Sequence, residues 1–408
     1  MDKRLTGLKI EKAKINFNDR IAPIIDFLRD NYDIRINCFD SSKSIIRSKK
    51  KNYKYSPTID DISLHMHSAG IQYNDTLLRK ILKSQNEIEK YNPITEYFGR
   101  VEKSYCGKSH IDILIGHLTA MNFGDKPKNY YRDRLSYLVK KWLVATAACA
   151  MGSYPNPVAL GLIHSEEGIG KTFFFNFLLP DEMKDFYVEF IPGKMEMQDL
   201  FARKMMILFD EFLGITTRSA ELFKNIIQRD NFELRNPHEF WPVNKPRIGS
   251  ACFTSNQTSE KGGFLIPELG TRRFACIELE NIDRAYSKLV DVNQVWAETI
   301  ILIKGGFDYK FNLDDFKEFK EYNTRYIKEA IPVKIIRMFY EIPLNGEGEW
   351  KQPIEIHHDL VRKRRIGKND KVSIEQIGSV LTQLSFQKKS IRVKGKGSRR
   401  AYYVKEVI

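Results

Sequence analysis

The stretch Gly161-Leu-Ile-His-Ser-Glu-Glu-Gly-Ile-Gly-Lys-Thr172 restricts what this chain can become more than any other. An apolar run from Val158 to Ile163 leads into it, and Phe173-Phe-Phe-Asn-Phe-Leu-Leu179 follows until Pro180 stops the pattern. That order predicts a buried strand, a glycine-containing turn and a helix, which is the setting a phosphate-binding loop requires. Gly168 and Gly170 let successive backbone N–H groups converge on phosphate oxygens. Lys171 then reaches the β- and γ-phosphates of a nucleotide, and Thr172 offers its hydroxyl to Mg²⁺. Ser165, Glu166, Glu167 and Ile169 complete the expected loop, with ATP and Mg²⁺ as the implied cofactors. Ser165 stands where the pattern G-x-x-x-x-G-K-[ST] opens with glycine, so Gly168 must supply the flexibility while Ser165 avoids a positive φ.

A second half of the site lies downstream. Met205-Met-Ile-Leu-Phe209 is an unbroken apolar run, as expected of a strand buried on both faces of a parallel sheet. It ends in Asp210 and Glu211. Ligands of open α/β sheets bind beyond the carboxyl ends of the strands, so this pair is expected beside the loop. Asp210 would share the Mg²⁺ shell with Thr172, and Glu211 would orient or deprotonate the attacking water. A third strand, Ile248 to Phe253, runs into Thr254-Ser255-Asn256, where Asn256 is placed to touch the γ-phosphate or the water. Gly270-Thr-Arg-Arg-Phe274 adds Arg272 and Arg273, whose guanidinium groups suit the charge developing in phosphoryl transfer.

At 408 residues the chain exceeds one ordinary core. Three regions are expected: a mixed N-terminal accessory module over 1–127, an α/β ATPase core with a helical extension over 128–343, and a small α+β domain over 350–408. The five cysteines are scattered with no C-x-x-C pair, which fits reduced thiols of a cytoplasmic protein. No segment reads as a membrane span or a secretory leader.

The formal net charge is +14, and its placement carries the information. From Val361 to Ile408 there are 14 Lys and Arg against three acids, Asp370, Glu375 and Glu406, a balance of +11. Such a basic end is the footprint of a polyanionic partner. Within it, Ser373 to Leu384 is helix-like, followed by strand-like alternation around a Gly395-Lys-Gly397 turn. Helix then basic hairpin predicts a winged-helix-like DNA-binding domain, with Lys394, Lys396, Arg399 and Arg400 on phosphates. In the core, Phe232 to Arg247 reads as a projecting hairpin, with His238, Lys245 and Arg247 as candidate DNA contacts.

Together, the loop ending Gly168-Ile-Gly-Lys-Thr172, Asp210-Glu211, Leu234-Arg-Asn-Pro237, Thr254-Ser-Asn256 and Gly270-Thr-Arg-Arg-Phe274 resemble the virulence-associated protein E family. These are P-loop ATPases of phages and mobile elements, related to superfamily-three and AAA+ helicases. The likeness is strongest from about Trp142 to Glu280 and departs at Ser165 and at Tyr105-Cys106-Gly107, where relatives often carry a W-D-G-like element. The resemblance implies a role in DNA replication, a homo-oligomeric ring, a hexamer, and an arginine finger at Arg272 or Arg273. The expected activity is therefore an ATP-hydrolysing, DNA-dependent motor of the replicative-helicase type. It would act on single-stranded or forked DNA, and a primase is a candidate partner. The alternative is a nucleotide-gated DNA-binding or phage-interference regulator that does not unwind. A small-molecule kinase has the loop but lacks an evident acceptor site, and the basic end argues against it.

Overall fold

The computed structural model describes residues 21–40, 45–49, 56–84, 87–211, 217–235, 242–266, 270–328, 330–343, 346–366, 372–393 and 397–407. Its largest sheet has six strands. These are β1 (Leu118–Ala120), β2 (Ala159–Ile163), β3 (Tyr187–Glu189), β4 (Met206–Phe209), β5 (Ser250–Ser255) and β6 (Phe274–Ile282). Their order across the sheet is β1-β6-β2-β5-β4-β3. β6, β2, β5, β4 and β3 run parallel, and β1 closes one edge antiparallel to β6. The protein is thus mixed α/β, as expected.

Every residue of β2, β4 and β5 is buried, which explains the continuous apolar runs in the sequence. Gly161 is fixed by its neighbour across the ladder, because it pairs with Phe253 and a Cβ there would fall 1.9 Å from the Phe253 ring. The long helix α1 (Tyr130–Ala150) backs this sheet with almost every residue from Lys141 onward buried. Trp142, fully buried, donates its indole N–H to the Val158 carbonyl at 3.2 Å and ties the helix to the start of β2. Lys141 is just as buried, and its ammonium is satisfied by Asp315 at 3.0 Å and the Tyr137 hydroxyl at 2.8 Å.

Packing draws the module limits away from the sequence punctuation. The helices Pro93–Lys103 and His110–Gly116 bury Tyr97, Phe98, Ile111 and Leu114 in the same core as Trp142 and Trp296. The core therefore begins near residue 93, well before 127, and a separate small core of Ile24, Leu28, Ile62 and Leu78 precedes it.

The C-terminal limit moves as well. Helix α2 (Ile331–Phe339) and strand β7 (Tyr340–Glu341) bury Val333, Ile336 and Tyr340 with Ile356, Ile377, Leu381, Tyr402 and Val404. That unit thus starts at Ile331 and not at 350, because the glycine-rich stretch near Gly346 is a turn inside it. After β7 come β8 (Glu349–Lys351), α3 (Pro353–Arg362), α4 (Ile374–Gln383), β9 (Lys388–Val393) and β10 (Gly397–Glu406). β10 is the hub, pairing antiparallel with β7, β8 and β9. Among the described residues no helix is long and apolar enough to cross a membrane.

Candidate nucleotide-binding site

The loop after β2 takes the form its glycines dictate. Gly168 has φ +77° and Gly170 has φ +113°, while Ser165 is not among the residues with positive φ. The left-handed turns are carried by residues without a Cβ, so Ser165 needs no strain in place of the expected glycine. The helix Lys171–Phe177 follows directly.

Lys171 is 6% exposed, and its ammonium donates to the carbonyls of His164 (3.2 Å) and Glu166 (2.8 Å) and to Asn256 Oδ1 (2.6 Å). Burial pushes its pKa down, an effect opposed by the carboxylates of Asp210, Glu167 and Glu211. Thr172 donates its hydroxyl to Asp210 Oδ1 at 2.8 Å. Lys171 and Thr172 sit at the end of β2, Asp210 and Glu211 at the end of β4, and Asn256 at the end of β5. The strand order brings the three together, because β5 stands between β2 and β4. Asn256 accordingly bridges the halves, accepting from Lys171 and donating Nδ2 to Glu211 Oε1 at 3.4 Å.

Glu211 has φ +44°, an uncommon conformation for a residue with a side chain. Its backbone N–H is held by the Thr254 hydroxyl at 3.0 Å, and that hydroxyl donates to Asp210 Oδ1 at 2.6 Å. Strain of this kind persists where surrounding contacts over-determine it. The role of Thr254 was not legible in the sequence beyond its place at a strand end. Nor were two exposed cations on the loop: Lys261 donates to the Ser165 carbonyl at 2.7 Å, and Arg284 donates to the Gly168 carbonyl and lies over the Phe173 ring. Both follow strands adjoining β2, and only pairing reveals that.

The donor set suits a magnesium nucleotide. Thr172 and Asp210 present hard oxygens side by side, and Gly168 and Gly170 adopt the positive φ that anion-binding turns use. Among the described residues no cluster of three or more His, Cys, Asp or Glu forms a metal cage. A cation here would take its other ligands from phosphate oxygens and water, as Mg²⁺ prefers.

The other expected site residues do not gather at this point. Arg272 and Arg273 precede β6, whose Phe274 pairs with Ala159 at the start of β2. They lie at the amino-terminal ends of the strands, one strand length from the loop, roughly 15 Å at 3.3 Å per residue. Arg272 is exposed, whereas Arg273 is 7% exposed with its Nε unbonded and its pKa lowered by burial and by Arg272.

The hairpin forms as expected, from antiparallel strands Asn231–Leu234 and Val243–Pro246. His238 lies outside the described residues, and Lys245 is half-buried near Cys38. Arg247 is not a DNA contact. It is 2% exposed and donates to the carbonyls of Gly249 (3.0 Å), Ile227 (2.6 Å) and Asn156, which lock the hairpin base to the core. Three of its five N–H donors are held by carbonyls, and burial keeps the other two away from a phosphate. Arg399 and Arg400 are exposed on β10, whereas Lys394 and Lys396 fall outside the described residues.

A family model for the virulence-associated protein E-like domain matches residues 116–328. That span is just over half of the 408 residues and contains the whole site. Two solved structures are also similar: the apo structure of NrS-1 C terminal region (305-718), at 12% identity and TM-score 0.47, covering 95% of this chain and 100% of that one. The A form apo structure of the same region gives 12% identity and TM-score 0.46, covering 94% of this chain and 99% of that one. No curated protein matches the sequence.

Proposed function

The chain belongs to the virulence-associated protein E-like family, and we propose that it is a P-loop ATPase of the AAA+ and superfamily-three type that drives a DNA-dependent replication motor of a phage or mobile element. One observation carries the reading: Lys171, Thr172, Asp210, Glu211 and Asn256 meet at the carboxyl ends of three adjacent parallel strands.

Each residue then has a task. Lys171 holds the β- and γ-phosphates once it exchanges its carbonyl partners for them. Thr172 and Asp210 would hold Mg²⁺, which when bound neutralises charge on the phosphate oxygens. Glu211 orients the attacking water and accepts its proton, and Asn256 keeps Glu211 in register with Lys171. Arg272, exposed at the amino-terminal end of the strands and away from its own loop, is the better finger for a neighbouring subunit's nucleotide. A head-to-tail contact that closes gives the ring this requires, and a hexamer is the proposed form.

The C-terminal unit supports the DNA half of the reading. Helix, strand, strand, two helices and a basic hairpin follow the winged-helix order, and the excess charge of the chain is concentrated there. The test is ATP turnover with and without single-stranded DNA, together with strand displacement and solution mass. Stimulation by DNA with displacement supports the motor. ATP-dependent DNA affinity without displacement would favour a nucleotide-gated regulator.

A further inference from the structure

The sheet of the C-terminal unit has two unlike faces. Tyr402 and Val404 of β10 point inward, buried under α2, α3 and α4, and the Tyr402 hydroxyl donates to the Gly378 carbonyl at 2.9 Å. Residues alternate along a strand, so Arg399, Ala401 and Tyr403 share the opposite face, where Ala401 is covered by its neighbours, Tyr403 is half-buried and Arg399 is exposed. Register places Trp350 of β8 beside Tyr403, and Lys389 and Ile391 of β9 beside Ala401 and Arg399. The Trp350 and Tyr403 rings lie 5.0 Å apart at 38°, and the Lys389 ammonium sits 4.0 Å from the Trp350 ring centre. Both rings are half-buried, while Lys389 and Arg399 are exposed. The nearby acids Glu341 and Glu347 are already ion-paired with Lys405, at 3.2 and 2.7 Å.

We infer that this outer face is a stacking platform for unpaired bases of a single-stranded nucleic acid, with Trp350 and Tyr403 under the bases and Lys389 and Arg399 on the flanking phosphates. It rests on the reading of the C-terminal unit as nucleic-acid binding, and it adds the strand form and the residues. Aromatic rings interleaved with cations on an open sheet are what sequence-tolerant single-strand binding uses. Duplex has no free base face to offer, so the platform selects unpaired strand. Lys389 covers the Trp350 ring through a cation–π contact, and an arriving base replaces that cover while the ammonium moves to phosphate. The charge of the unit, +11 over its last 48 residues, favours a polyanion over an apolar peptide.

The experiment titrates the full chain with oligo-dT and with an abasic oligonucleotide of equal length and charge, following tryptophan emission and affinity. Trp142 and Trp296 are buried, and subtracting the Trp350→Phe signal isolates Trp350 from every other tryptophan. Oligo-dT should quench Trp350, and the abasic strand and polyglutamate should not. Trp350→Ala should weaken oligo-dT binding roughly 5- to 150-fold and abasic binding less than about 2-fold, with Trp350→Phe keeping most of the affinity. Equal losses on both strands, unchanged oligo-dT affinity in Trp350→Ala, or equal quenching by polyglutamate would overturn the platform. The difference in quenching between unaltered protein and Trp350→Phe decides the matter even if Trp350→Ala fails to fold. Wild-type protein that binds neither strand would instead remove the underlying nucleic-acid reading, and the platform with it.

Discussion

The Thr254 hydroxyl donates to Asp210 Oδ1 at 2.6 Å while accepting the Glu211 backbone N–H at 3.0 Å. One side chain on β5 therefore sets both acids at the end of β4. Thr254 is 1% exposed, so no water replaces it easily. Thr254→Val keeps the shape and removes both bonds. It should lower ATP turnover about tenfold, since a hydrogen bond to a charged group contributes about 1.5–3 kcal/mol. Thr254→Ser should restore most of the loss. Steady-state turnover of the two variants checks this, and equal rates in Val and wild type would contradict it.

Lys171 and Glu211 are assigned separate tasks, so their variants should separate binding from chemistry. Lys171→Ala should lose tight ATP binding. Glu211→Gln should bind ATP normally and hydrolyse it roughly 10²-fold more slowly. Calorimetric binding alongside turnover distinguishes them, and wild-type turnover in Glu211→Gln would refute its role.

The neighbouring arginines should behave differently from one another. Arg272 is exposed, whereas Arg273 is buried with an unbonded Nε. Arg272→Ala should keep both ATP binding and melting temperature and lose turnover, and mixing it with Lys171→Ala should recover part of the activity. Arg273→Ala should shift the melting temperature. Lack of recovery in mixtures shown to exchange subunits would count against a finger acting between subunits.

Arg247→Ala removes three charge-assisted hydrogen bonds from the hairpin base. Destabilisation of about 3 kcal/mol or more is expected. Denaturant unfolding measures it. A fully stable variant with weakened DNA binding would restore Arg247 as a surface contact.

Neutralising Lys394, Lys396, Arg399 and Arg400 in the full chain should flatten the dependence of log affinity on log salt. Every phosphate no longer neutralised by the protein lowers the slope by about 0.7 on single strands and about 0.9 on duplex. Basal ATP turnover should survive, since the site lies in another core. An unchanged slope would leave the basic end without a role in binding. Cutting the chain at Val361 would be a poor substitute, because it severs α3 and opens the core around Ile356 and Leu360.

The sequence alone determined the local elements and the loop. Strand, glycine turn and helix around Gly168 and Gly170 follow from apolar pattern and backbone freedom, which are properties of neighbouring residues. The buried strand before Asp210 was legible for the same reason. Tertiary structure decided what pairing and burial assign. Strand order put Asn256 between Lys171 and Glu211, and made Thr254 the hinge of the two acids. Burial took Arg247 from the surface, since charge type in a sequence does not say whether three carbonyls await it. It also moved the module limits to about residues 93 and 331, because glycine and proline mark turns, whereas a module ends where apolar side chains change the core they share.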